Sequence, residues 1–257
     1  AFGYRALRLN TTGTHNAAFG YKTLETNTFG VYNSAFGSLV LASNTTGNHN
    51  SAFGYGSMKL NTIGVRNSAF GYGVMVQNVS GSNNTAVGFQ ALYYNTTNNN
   101  SAFGYKALFA NTTGYRNAAF GFAALQNNTI GINNAAFGYQ TLQTNTTGSN
   151  NTAVGLNSLF SNTIGQKNSA FGSQALFANT TGVNNSAFGT YALNANTIGI
   201  SNTAVGISAL ASNTTGNGNS AIGASALTSN TFGNYNSAFG RSAMLYNTTG
   251  NRNSSFG

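Results

Sequence analysis

The apolar positions of this chain return at a fixed interval. A triplet of a small residue, an apolar residue and glycine starts at Ala1, Ala18, Ala35, Ala52, Ala69 and Ala86. It starts again at Ala102, Ala119, Ala136, Ala153, Ala170, Ala187, Ala204, Ala221 and Ala238, with a partial copy at Ser255. The step is 17 residues, except for one step of 16 across "NTTNNNSAFG", where Asn98 stands in the region that elsewhere holds a turn glycine. Counted from the triplet as position 1, a copy reads A-F-G-Y-x-x-L-x-x-N-T-[T/I/F]-G-x-x-N-[S/A/T], and the line fills residues 1–257 as one uninterrupted array. A copy this short cannot bury a core alone, so the copies must stack on one another as in a solenoid.

Two glycines per copy, with Asn, Thr and Ser at fixed places, oppose helices and favour short strands between turns. The expected fold is all-β, a parallel β-solenoid of the β-roll or β-helix kind. Along "NSAFGY" the side chains alternate, Ser, Phe and Tyr to one side and Asn, Ala and Gly to the other. We expect the Phe column (Phe2, Phe19, Phe36, Phe53, Phe70, with Val87 substituting) to lie inside. The small residues would then leave a flat face open to close backbone approach. Leu7, Leu24, Leu41, Met58, Met75, Leu92 and Leu108 form a second apolar column. Asn10, Asn27, Asn44 and Asn61 read as turn residues, and Gly13, Gly30, Gly47 and Gly64 as the places where φ > 0 is needed. Stacked copies would set like residues about 4.8 Å apart, with Asn ladders satisfying amide groups from copy to copy.

Position 12 alternates: Thr12, Phe29, Thr46, Ile63, Ser80, and later Thr147, Ile164, Thr181, Ile198. With one copy per rung, Thr stacks on Ile; with two copies, 34 residues per rung, like stacks on like. The second arrangement is favoured because it gives each column one environment.

Composition narrows the chemistry. Only 4% of residues are charged, Glu25 is the sole carboxylate side chain, His15 and His49 are the only histidines, and Cys is absent. The residue types of acid–base and thiolate catalysis are nearly missing, which speaks against an enzyme, and no cofactor is expected. The formal charge of +9 comes from scattered Lys and Arg. Arg66, Arg116, Lys167 and Arg252 share one position, but a nucleic-acid groove would carry a denser stripe interleaved with aromatics, so no nucleic-acid partner is expected. No apolar stretch approaches the ~20 residues of a membrane span. The histidines lack acidic or Cys partners for a metal. The chain starts and stops inside the repeating line, so we expect a segment of a longer protein.

"NTT" is an Asn-x-Ser/Thr glycosylation sequon whereas "NTI" and "NTF" are not. The candidate glycosylation residues are Asn10, Asn44, Asn78, Asn95, Asn111, Asn145, Asn179, Asn213 and Asn247, with further sequons at Asn83, Asn99, Asn127, Asn150 and Asn184. Covalent N-glycans are the one attachment the sequence offers, although an Asn- and Thr-rich chain also writes sequons by chance.

The line "NTAVGFQALYYNTTNNNSAFGYKALFANTTG", residues 84–114, resembles repeats of secreted and phage tail-fibre proteins. "NSAFG" and "NTAVG" resemble, more loosely, the strand motif of trimeric autotransporter adhesin heads. That second resemblance implies left-handed parallel β-rolls used for attachment, commonly three chains together. The copy here is longer than is usual in such heads, and none of their functional residues carries over by position. The expected function is a structural extracellular fibre, filament or stalk at a cell or virion surface, its partner another copy of itself. The alternative is an adhesin that binds surface glycans through rows of Tyr (Tyr4, Tyr21, Tyr55, Tyr72, Tyr105, Tyr139), Asn and Thr. A third reading, ice binding, rests on the Thr row at Thr11, Thr28, Thr45 and Thr62.

Overall fold

The computed structural model describes residues 1–257 and contains strands and turns but no helix. The chain falls into two units, Ala1–Ile130 and Gly131–Gly257. Each is a parallel β-solenoid. The first carries β1 (Ala17–Phe19) through β7 (Ala118–Phe120), and the second β8 (Ala135–Phe137) through β15 (Ser254–Phe256), all three residues long.

The favoured rung of two copies is corrected to one. Ala18 pairs with Ala35 and Phe19 with Phe36 in the first unit, and Ala170 pairs with Ala187 in the second, so each copy closes a complete turn. Thr12 therefore neighbours Phe29 and Thr46 neighbours Ile63. Alternation costs nothing there because position 12 faces solvent: Phe29 is 59% and Ile63 55% exposed. At the short copy the pairing of Ala86 with Ala102 keeps the register. Thr97 takes over the glycine's task, its carbonyl accepting from the side-chain amides of Asn84 (2.7 Å) and Asn95 (2.8 Å).

The expected direction of the strand faces is also reversed. From Ala18 to Ala238 the Ala column is completely buried, whereas Phe19 is 45% exposed and Phe36 and Phe53 are half-buried. Alternation fixes that two faces exist but not which one is inside. The opposite wall decides: the column from Leu24 through Met58 and Leu108 to Leu210 is fully buried. With Leu and Asn filling so narrow a turn, only a methyl fits on the strand side.

Between these apolar columns run two asparagine ladders. At position 10, Asn44 Nδ2 donates to Asn27 Oδ1 (2.8 Å) and to the Gly47 carbonyl (3.0 Å). At position 16, Asn50 donates through its backbone N–H (3.0 Å) and Nδ2 (3.2 Å) to Asn33 Oδ1, and through Nδ2 to the Gly64 carbonyl (2.8 Å). The expected inter-copy Asn ladders are present. The position-10 residues are more than turn formers, because they lie fully buried at Asn27, Asn44 and Asn61. Burying amides is tolerable because their polar atoms are paired from turn to turn.

The glycines at position 13 are needed for a different reason from the one expected. Gly13, Gly30, Gly47 and Gly64 do not have positive φ. A Cβ at Gly47 would instead strike the side chain of Asn44 and lie 2.6 Å from the Gly64 carbonyl oxygen and 2.9 Å from Asn61 Nδ2. The left-handed backbone falls at positions 5, 7 and 15, as at Lys22 (φ 52), Leu24 (φ 51) and Tyr32 (φ 57), and at the triplet glycines, such as Gly20 (φ 127). L-residues pay about 1–2 kcal/mol for such a conformation. Pairing along the stack offsets it: Lys22 N–H donates to the Tyr4 carbonyl (2.8 Å) and Leu24 N–H to the Val40 carbonyl (3.1 Å).

Candidate functional surface

The repeat sets its surface out in columns, one residue per turn, with the residue identity at each position deciding what that column can do. Positions 2 and 4 flank the triplet glycine and form neighbouring columns of rings. At position 2, Phe19–Phe36 and Phe36–Phe53 stack at 4.8 Å, and Phe53–Phe70 at 4.9 Å, with planes within 8°. At position 4, Tyr55–Tyr72, Tyr72–Phe89 and Phe89–Tyr105 stack at 5.2–5.4 Å. Stacking turns ring faces toward each other along the column, so an incoming ligand meets mainly edges and hydroxyls. The Tyr row lies at the surface, as a glycan-binding reading requires, but it does not lay its faces open for sugar stacking.

The threonine row at position 11 is committed inward. Thr28 and Thr45 Oγ1 donate to the carbonyls of Thr45 (3.2 Å) and Thr62 (3.1 Å). The Thr45 carbonyl also accepts the backbone N–H groups of Thr28, Phe29 and Gly30 at 3.0–3.1 Å. Each hydroxyl proton is thus used within the stack, which leaves an ice- or glycan-facing Thr row only lone pairs to offer.

Of the candidate glycosylation residues, Asn44, Asn78, Asn95, Asn111, Asn145, Asn179 and Asn213 are fully buried, and Asn10 and Asn247 half-buried. The atom that a glycan would take is already used: Asn213 Nδ2 donates to Asn196 Oδ1 (2.9 Å) and the Gly216 carbonyl (3.0 Å). The further sequon residues Asn83, Asn99, Asn127, Asn150 and Asn184 are all exposed. Four of them occupy position 15, with φ between 58 and 61. The sequence signal for this division was already present: position 10 is Asn in every copy because the ladder needs it, whereas position 15 accepts His, Tyr, Arg, Lys, Ser and Gly.

His15 and His49 sit exposed in that same column on either side of Tyr32, stacked on its ring at 4.7 and 5.0 Å. The intervening ring separates the imidazoles by two turns, about 9.6 Å at strand spacing, too far to share one ion. No group of three or more His, Cys, Asp or Glu occurs. Arg66, Arg116, Lys167 and Arg252 are exposed at position 15 as single charges. Glu25 is held by Arg8 (3.3 Å) and Arg5 (3.5 Å). A shallow depression of about 200 Å³ lies where Gly56 and Gly73 omit the position-5 side chain beside Tyr55 and Tyr72. No helix is long and apolar enough to cross a membrane.

No family model matches the chain, and no curated protein matches it. The functional reading rests on this geometry alone.

Proposed function

We propose that this chain is a structural element of an extracellular fibre, filament or stalk at a cell or virion surface. Its task is to supply length and stiffness by stacking, and it performs no catalysis. The carrying observation is where the polar side chains spend their hydrogen bonds. In turn after turn both ladder asparagines and the position-11 threonine bond to neighbouring turns, Val79 being the one residue at position 11 without a hydroxyl. A fold whose polar groups serve the next copy gains from every copy added. Any N-glycan in this reading belongs at the exposed sequons, such as Asn83, Asn150 and Asn184.

The adhesin reading stands second, since the stacked tyrosines turn their faces to each other. Cryo-electron microscopy of the native material tests the proposal. Continuous filaments with a rise of about 4.8 Å per 17-residue turn are expected. Discrete particles with capped ends would overturn it.

A further inference from the structure

The two units share one fold but not one surface. In the first, seven of the eight position-4 residues are aromatic, Ser38 being the exception. In the second, Tyr139 is the only aromatic among seven, and Ser173, Thr190, Ala224 and Arg241 stand in the column. Stacking turns does not require a ring there, because Ser38 and Ser173 occupy the same position in intact turns. The aromatic column of the first unit thus has no role in the fold that serine does not fill.

We propose that the double Phe/Tyr column of residues 1–130 is a lateral self-association face, and that its occupant is the same face of a second copy of this chain. Seven of its rings, from Phe19 to Tyr105, are 39–52% exposed. At about 200 Å² per ring they leave roughly 600 Å² of apolar surface, and half-buried Phe36, Phe53 and Phe103 carry this toward the ~800 Å² per partner of a stable interface. A monomer's largest patch is commonly about 300–600 Å².

Period selects the occupant. The rings recur every 4.7–5.6 Å along the face, so a partner that packs tightly along it must present ridges at that same interval. A second copy does so, and like side chains interdigitate between paired sheets in dry zippers. The charges nearest the rings are Arg5, 5.2 Å from the Tyr4 ring, and Lys22 and Lys106, 5.4 Å from the Tyr21 and Tyr105 rings; their long stems let the charged heads turn to solvent when copies face each other. This pairing is sideways and independent of end-to-end stacking.

Sedimentation equilibrium of the 257-residue chain tests the proposal against a variant carrying Tyr55→Ser, Tyr72→Ser, Phe89→Ser and Tyr105→Ser. A second variant, Phe29→Thr with Ile63→Thr, removes exposed apolar residues from position 12 of the same unit. The unsubstituted chain is expected to associate to a dimer or larger. The four-serine variant should keep its circular dichroism and weaken association roughly 100-fold, while the position-12 variant associates as before. A monomeric unsubstituted chain, a four-serine variant of undiminished mass, or equal weakening by the position-12 variant would each overturn the proposal.

Discussion

Replacing Asn61 by alanine removes one rung of the position-10 ladder and leaves the backbone in place. Asn61 Nδ2 donates to Asn44 Oδ1 (2.8 Å) and to the Gly64 carbonyl (3.2 Å), and its Oδ1 accepts from Asn78 Nδ2 (3.1 Å). The three partners do not suffer equally. The Gly64 carbonyl keeps the Asn50 amide (2.8 Å), and Asn78 keeps the Gly81 carbonyl (2.9 Å). Asn44 Oδ1 loses the donor it has and stays buried. One orphaned acceptor costs about 1–3 kcal/mol and each of two further lost bonds about 0.5–1.5 kcal/mol, for a total of roughly 2–6 kcal/mol. Asn61→Asp should cost more, since it places a buried carboxylate oxygen against two acceptors.

Because solenoids unfold with nearest-neighbour rather than all-or-none cooperativity, a single midpoint can mislead. The assay is urea unfolding by circular dichroism, combined with amide hydrogen exchange read turn by turn. Protection should fall at residues 44–81 and recover with distance from the substitution. An Asn61→Ala chain within about 0.5 kcal/mol of the parent, a typical exposed-surface effect, and with unchanged exchange would refute the ladder as a source of stability.

Gly47→Ala should destabilise by about 1–3 kcal/mol through overpacking, whereas Gly56→Ala, at φ 63 with nothing within 4 Å of the new Cβ, should lose about 1 kcal/mol. Denaturant midpoints compare them, and the reverse order would restore a conformational reason for the position-13 glycine. Leu108→Ala should cost about 2–5 kcal/mol, measured the same way; a loss below 1 kcal/mol would mean that the column is loosely packed. In folded protein secreted from a glycosylating host, glycopeptide mass spectrometry should find sugar at Asn83, Asn150 or Asn184 and none at Asn145, Asn179 or Asn213. A glycan at Asn145 of folded chains would contradict the buried ladder.

The period, the parallel strands, the Leu column and the presence of Asn ladders were all legible, because each follows from spacing alone. What spacing could not supply was direction. "NSAFG" fixes that Ala18 and Phe19 point opposite ways, but the inward choice depends on the volume already claimed by Leu24 and Asn27 across the turn, a tertiary quantity. Hydrophobicity ranks Phe above Ala for burial; available volume reverses the order. Glycine misled for a related reason. It serves φ > 0 at Gly20 and clearance at Gly47, and one letter does not say which. The left-handed residues at position 7 gave no signal, since Leu or Met stands there in every copy where Gly or Asn would have marked the turn.

Variation between copies carried a signal that the consensus erased. Averaging sixteen versions of one line gives "Tyr" at position 4 and hides that its rings concentrate in the first half of the chain. The letters this repeat holds most tightly, Asn at positions 10 and 16 in every copy, Leu or Met at position 7, and Gly at position 13 in all but the short copy, are those the stack needs in order to exist. A task beyond stacking has to be written in letters that the stack does not constrain. Positions 2, 4, 12 and 15 are those letters: their side chains point outward, and their changes leave the turn intact. Function in such a chain is therefore to be sought where the copies disagree.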